Sequence, residues 1–220
     1  MALYWELTIS SSIRDLIQKG TYEQIICDLM NESKRIFPSK YARVKDQSNG
    51  ECDFIDIVSK KKYDAKILFS NTQCQLIARG LKQLEDWVRS VYEEISEVSG
   101  KLFDNDRIAI KNTILFRELS DRLASVRDDE DAILFIPFPI VPESEKSVFL
   151  PFASDILSVT YGSIVAASPG KFEGKHTFII YPSVIDQKVV LRDLTSRRKE
   201  YMPIDPLSPY ITYAIKEHPD

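Results

Sequence analysis

Apolar and polar residues recur along this chain with two periods, and the switches between them mark out the predicted elements. Ile9 to Ser12 offers caps for a short helix through Gln18, closed by Gly20. A second helix is predicted from Tyr22 to Phe37, where Ile25, Ile26, Leu29, Met30, Ile36 and Phe37 fall on one stripe. Thr21 caps it, Gln24 completes a capping box, and Pro38 stops it. A short strand, Tyr41 to Lys45, and a turn, Asp46 to Gly50, follow. From Asn71 and Thr72 a long helix is predicted to about Val98, with Leu76, Ile77, Leu81, Leu84, Val88, Val91 and Ile95 as its buried stripe. A further helix covers Asp106 to Val126, and Arg127 to Asp131 reads as a charged, solvated loop.

Beyond Ala132 the texture turns towards β-structure. Ala132 to Ile140 reads as a buried strand, and Val148 to Phe152, Ser163 to Ala167, Thr177 to Tyr181 and Lys188 to Leu191 as shorter ones. Ile156 to Thr160 fits either period, and Tyr201 to Tyr213 reads as a proline-punctuated segment wrapped on the rest.

The centre of the chain is Cys52 to Ser70, two apolar runs flanking a polar turn, Ser59 to Lys62, in the pattern of a β-hairpin. On the second strand Asp64, Lys66 and Leu68 share one face; Tyr63, Ala65, Ile67 and Phe69 share the other. An acid and a lysine on an otherwise apolar strand are costly to bury unless paired or bound to a metal.

Composition narrows the class. With 220 residues, 44% hydrophobic and 28% charged, the chain has the profile of a soluble globular protein able to bury a sizeable core. The formal net charge of -4 argues against strong autonomous binding of nucleic acid. Three cysteines without paired spacing and two histidines make a zinc site improbable and point to reduced thiols in a cytoplasmic protein. Seven glycines form no phosphate loop, and neither His176 nor His218 has a nucleophile beside it in sequence. The Met1 to Leu7 segment does not read as a secretory signal, and the longest apolar run falls short of the ~20 residues that span a bilayer, so no membrane is expected.

The order helix, strand, hairpin, helix, strand, with Asp53 before one strand and Asp64-Ala65-Lys66 on the next, resembles the PD-(D/E)XK, or restriction-endonuclease-like, nuclease superfamily. The resemblance covers roughly Thr21 to Val98, with Ala132 onward as the later strand; Cys52 stands where that family often has proline. It implies an α/β fold whose core is a helix, a three-stranded meander, a second helix and a strand. A nuclease-like unit over 1–140 would then carry a β-rich extension over 141–220 packed on it, the alternative being one continuous domain. It also implies a Mg²⁺- or Mn²⁺-dependent nuclease acting on DNA, with RNA also open, as a subunit of a larger complex such as a defence or repair system. Asp53, Asp64 and the Ala65 carbonyl would hold the metal, and Lys66 would orient the attacking water. Asp56 rivals Asp53; the two face opposite sides of a regular strand, and Asp53 is favoured for its place where a strand leaves a turn. Glu23, then Glu32, are the candidates for a helix-borne acid, and Gln73 and Gln75 open the helix that follows Lys66.

Each feature also has a plainer reading. Asp64 and Lys66 form a surface ion pair in one, a metal site in the other. Lys60, Lys61 and Lys62, and likewise Arg197, Arg198 and Lys199, are either solubilising turns or nucleic-acid contacts. The rival for the whole chain is a catalytically silent α/β scaffold or adaptor binding other proteins.

Overall fold

The computed structural model describes residues 3–9, 16, 21–44, 52–68, 114–136, 150–183 and 188–217. It is a mixed α/β arrangement built on a curled sheet of seven strands. In chain order these are β2 (Tyr41–Arg43), β3 (Phe54–Asp56), β4 (Lys62–Ile67), β5 (Glu130–Phe135), β6 (Thr177–Ser183), β7 (Lys188–Asp193) and β8 (Lys199–Pro203), and they lie side by side in that same order. The meander β2–β3–β4 is antiparallel; β4, β5 and β6 are parallel; β6, β7 and β8 are antiparallel again. Strands from before and after residue 140 thus belong to one sheet, β5 pairing directly with β6. A second, two-stranded sheet pairs β1 (Leu3–Ile9) with β9 (Ile211–Glu217).

Helix α1 (Thr21–Glu32) packs on one face of the large sheet, where Ile26, Leu29 and Met30 meet Phe54, Tyr63, Ala65, Ile133, Phe135 and Ile180. Helices α2 (Ile114–Ala124) and α3 (Leu150–Ala167) contribute to the core of the other face, with Leu119, Leu123, Tyr161 and Ile164 against Leu68, Leu134 and Ile179. A short α4 (Pro169–Phe172) follows. Phe37, Phe54 and Phe135 are fully buried, each contributing about 1.5–3 kcal/mol by leaving water.

Four expectations need correction. The helix predicted to reach Phe37 ends at Glu32, because the Glu200 carboxylate of β8 turns the chain there. It accepts the Ser33 hydroxyl (2.5 Å) and the backbone N–H groups of Lys34, Arg35 and Ile36 (2.9, 3.2 and 3.1 Å). Residues 150–152 and Ser163 to Ala167, predicted as strands, belong to α3. The apolar Leu150 and Phe152 and the β-branched Ile164 and Val165 mimic strands, but no turn separates the segments, and Ser163 Oγ donates to the Val159 carbonyl as helical serines do. The charged loop 127–131 is half strand: Glu130 and Asp131 begin β5 and are buried, the latter ion-paired to Lys61 at 2.6 Å. The segment 201–213 is not merely wrapped but supplies the end of β8 and the start of β9. Leu16 is helical, as its predicted helix requires. The turn 46–50, the long helix after residue 70 with Gln73 and Gln75, the first part of the helix predicted from Asp106, and 137–140 lie outside the described residues.

The two hairpins of the sheet share one turn design, Asp-x-x-Ser followed by a basic residue. In the first, Asp56 Oδ1 accepts the N–H groups of Val58 (2.8 Å) and Ser59 (3.2 Å). In the second, Asp193 Oδ1 accepts those of Thr195 (2.9 Å) and Ser196 (3.0 Å). The basic residues, Lys60 (φ 64°) and Arg197 (φ 61°), sit in the left-handed region, which costs a side-chain-bearing residue free energy. Lys60→Gly and Arg197→Gly should each stabilise the protein by about 0.5–1 kcal/mol in urea unfolding. Destabilisation by both would contradict the strain. Glu200→Ala should destabilise by about 2–4 kcal/mol, since three N–H groups and a hydroxyl lose one acceptor. Burial alone raises the Glu200 carboxyl, but those four donors outweigh it and hold it below the usual glutamate range. The stability difference from Glu200→Gln should therefore be full at neutral pH and close as pH falls below about 4. A pH-independent difference would count against the clamp.

Candidate functional site

β3 and β4 bring Asp53 and Asp64 together through an irregularity in their ladder. Phe54 pairs with Tyr63, yet the Asp53 N–H also donates to the Tyr63 carbonyl at 3.0 Å. Two consecutive residues thus oppose one, which is a β-bulge, a device that re-aims a side chain. The Asp53 carboxylate turns across to accept the Ala65 N–H on Oδ2 at 2.7 Å, within hydrogen-bonding reach of the Asp64 carboxyl. Lys66, two residues along the same face, donates to Asp64 Oδ1 at 2.7 Å. In a strand a residue's N–H and C=O leave by the same edge, so the Ala65 carbonyl is directed to the Asp53 side of β4.

Burial is the main reason the Asp53 carboxyl is raised, to about 7, and the neighbouring Asp64 is the next. The Ala65 N–H opposes the rise, and the Glu23 charge adds to it. Two acids at such range out of water cannot both ionise freely; one keeps a proton or a cation takes its place. Mg²⁺ is held by one or two carboxylates while keeping several waters, so two carboxylates and a carbonyl fit its chemistry. Among the described residues no group of three or more His, Cys, Asp or Glu is gathered as a metal cage.

Glu23, buried in the first turn of α1, forms an ion pair with Arg43 of β2. Glu32 is exposed at the far end of that helix. Asp56 lies apart in role: burial raises its carboxyl, but the Ser39 hydroxyl (2.7 Å) and the turn N–H groups outweigh this and hold it at about 2. It is the pin of the hairpin turn. Lys60 is exposed at the tip, whereas Lys61 is paired with Asp131 and Lys62 with Asp129 at 2.7 Å. Arg197 is exposed; Arg198 bonds Ser196 Oγ (3.0 Å) and approaches Asp193 (3.7 Å); Lys199 opens β8.

Sequence reasoning missed three groups around the acids. Tyr22 stacks on Phe135 with ring centroids 6.2 Å apart. Burial, then the charges of Glu23, Asp53 and Asp64, push its hydroxyl above the usual tyrosine range, and Arg122 of α2 opposes them. Tyr22 was legible as Glu23's neighbour in the first helical turn. Nothing local announces Arg43 or Arg122, which arrive from other elements. Comparison with family models, with curated proteins and with solved structures finds no match in any of the three.

Because the folded protein raises the Asp53 carboxyl, the stability from its protonated form is full below the ordinary aspartate range and is lost as pH rises through about 7. Asp53→Asn keeps an oxygen for the Ala65 N–H and removes the charge. Its melting temperature relative to the unaltered protein should therefore rise progressively between pH 4 and pH 9. An offset constant across that range would show that Asp53 does not titrate with this shift.

Proposed function

We propose that this chain is a metal-dependent nuclease of restriction-endonuclease-like design. It hydrolyses phosphodiester bonds in DNA, with RNA as the other candidate polymer. The observation that carries the reading is the buried Asp53 and Asp64 pair on adjacent strands, with Lys66 at 2.7 Å from Asp64. The surrounding order supports it: α1, the meander β2–β3–β4, and then β5 parallel to β4 after the chain crosses over. A bound Mg²⁺ or Mn²⁺ would supply Lewis-acid charge at the phosphate. Asp53, Asp64 and the Ala65 carbonyl would hold it. Lys66 would turn its ammonium from Asp64 to the attacking water and to the charge developing on phosphate oxygen. With a net charge of -4, the chain has few cations for the polymer backbone, so its own binding is expected to be weak and lost as salt rises. A protein subunit is proposed to add the grip needed at physiological salt.

A scaffold reading has one observation of its own. Lys66 with Asp64, Arg43 with Glu23 and Lys61 with Asp131 already neutralise three of the acids. Metal binding separates the two readings. If the nuclease reading is right, saturating Mg²⁺ or Mn²⁺ raises the melting temperature by about 5 to 10 °C at a hundredfold excess over Kd. Asp53→Asn and Asp64→Asn lose the rise; Lys66→Ala keeps it but cuts cleavage at least about a hundredfold. A melting temperature indifferent to both cations, or undiminished cleavage by Lys66→Ala, rejects the nuclease.

A further inference from the structure

Arg122 projects from α2, whose neighbouring residues Leu119 and Leu123 join the core on the same face of the sheet as Leu68 and Leu134. Asp64 and Lys66 alternate with Tyr63, Ala65 and Ile67, so they belong to that face too. The Nε of Arg122 is buried and makes no hydrogen bond. A guanidinium N–H taken from water without an acceptor is a costly arrangement in a protein that carries nothing else there. Three other arginines are committed to acids of their own: Arg43 to Glu23, Arg127 to Glu130 and Arg198 to Asp193. Arg122 carries no ion pair among the described residues. Its positive charge opposes those of Glu23, Asp53 and Asp64 on the Tyr22 hydroxyl.

We propose that Arg122 is the phosphate-gripping residue of the Asp53–Asp64 site, its planar fork receiving two non-bridging oxygens of a nucleic-acid phosphodiester. The proposal rests on the nuclease reading. Once a cation neutralises the two carboxylates, Arg122 and Lys66 are the positive groups left facing an incoming anion. An arginine matches two phosphate oxygens at once, which a lysine at the same place does not. Arg122 is half-buried with its Nε out of water, and that unused Nε–H is the donor that a phosphate oxygen would complete.

The test uses the full chain and a short fluorescein-labelled DNA duplex, with Ca²⁺ replacing Mg²⁺, titrated between about 50 and 200 mM salt. Arg122→Gln should bind roughly tenfold more weakly and lower the slope of log affinity against log salt by about one. Its Mn²⁺-induced rise in melting temperature should match that of the unaltered protein, which a merely structural role for Arg122 would not predict together with the change in slope. Arg122→Lys, which keeps the charge and the packing of the stem, should retain the slope and still bind several-fold more weakly; it decides the matter should Arg122→Gln not fold. Unchanged affinity and slope in these variants, or no binding of the duplex by the unaltered chain at the lowest salt, overturns the role of Arg122. Loss of the metal-induced rise in Asp53→Asn alongside either result leaves the nuclease reading standing. A chain that shows no metal-induced rise at all overturns both.

Discussion

A carboxylate removed from water must be given a cation, a set of N–H or O–H donors, or a proton, and this fold buries many of them. The described residues show each solution. Asp56 and Asp193 take donors from their own turns, and Asp193 adds the His176 ring at 3.0 Å. Glu23, Asp64 and Asp131 take Arg43, Lys66 and Lys61. These solutions also hold the architecture: the turn aspartates set both hairpins, and Lys61 ties the tip of the first hairpin to the start of β5. Asp53 is met differently, by one backbone N–H and by a second carboxyl.

How much of this was legible depended on distance along the chain. The meander and the juxtaposition of Asp64 and Lys66 were legible because strand alternation is local, and both strands are short and bounded by polar turns. The true end of α1 was not, because Glu200 stands 167 residues from Ser33 in sequence. No pattern near Phe37 could announce an acceptor arriving from β8. Residues 150–167 misled for a different reason. Their isoleucines and valines, with Thr160, suit strands, and packing of Tyr161 and Ile164 against the sheet settled the helix. The acids Glu130 and Asp131 looked solvated because their neutralising partners, Arg127 apart, lie on other elements.

The candidate site divides along the same line. Parity set Asp53 and Asp56 on opposite sides of a regular strand, and the structure gives Asp56 to the turn. The bulge at Asp53 was not legible, since a bulge is a relation between two strands. It matters because it lets the Asp53 carboxylate cross to the Ala65 N–H on the neighbouring strand. Glu23 was within reach of sequence reasoning, but its ion pair with Arg43 was not.

A purely structural role for Asp53 would need only an acceptor for the Ala65 N–H, and a neutral asparagine supplies one. Keeping an acid there, beside Asp64, raises the cost of ionising it and makes local stability depend on pH near neutrality. Asp56 and Asp193 avoid that cost with turn donors, and Glu23 and Asp131 take cations, so the fold has the means to avoid it here as well. A divalent cation between the two carboxylates would relieve that cost, which is why the arrangement supports the proposed metal site. The same reasoning applies to Arg122, whose buried Nε–H is penalised until an acceptor arrives. The two groups are of opposite sign, and under the proposed function a metal-bound phosphodiester would satisfy both at once.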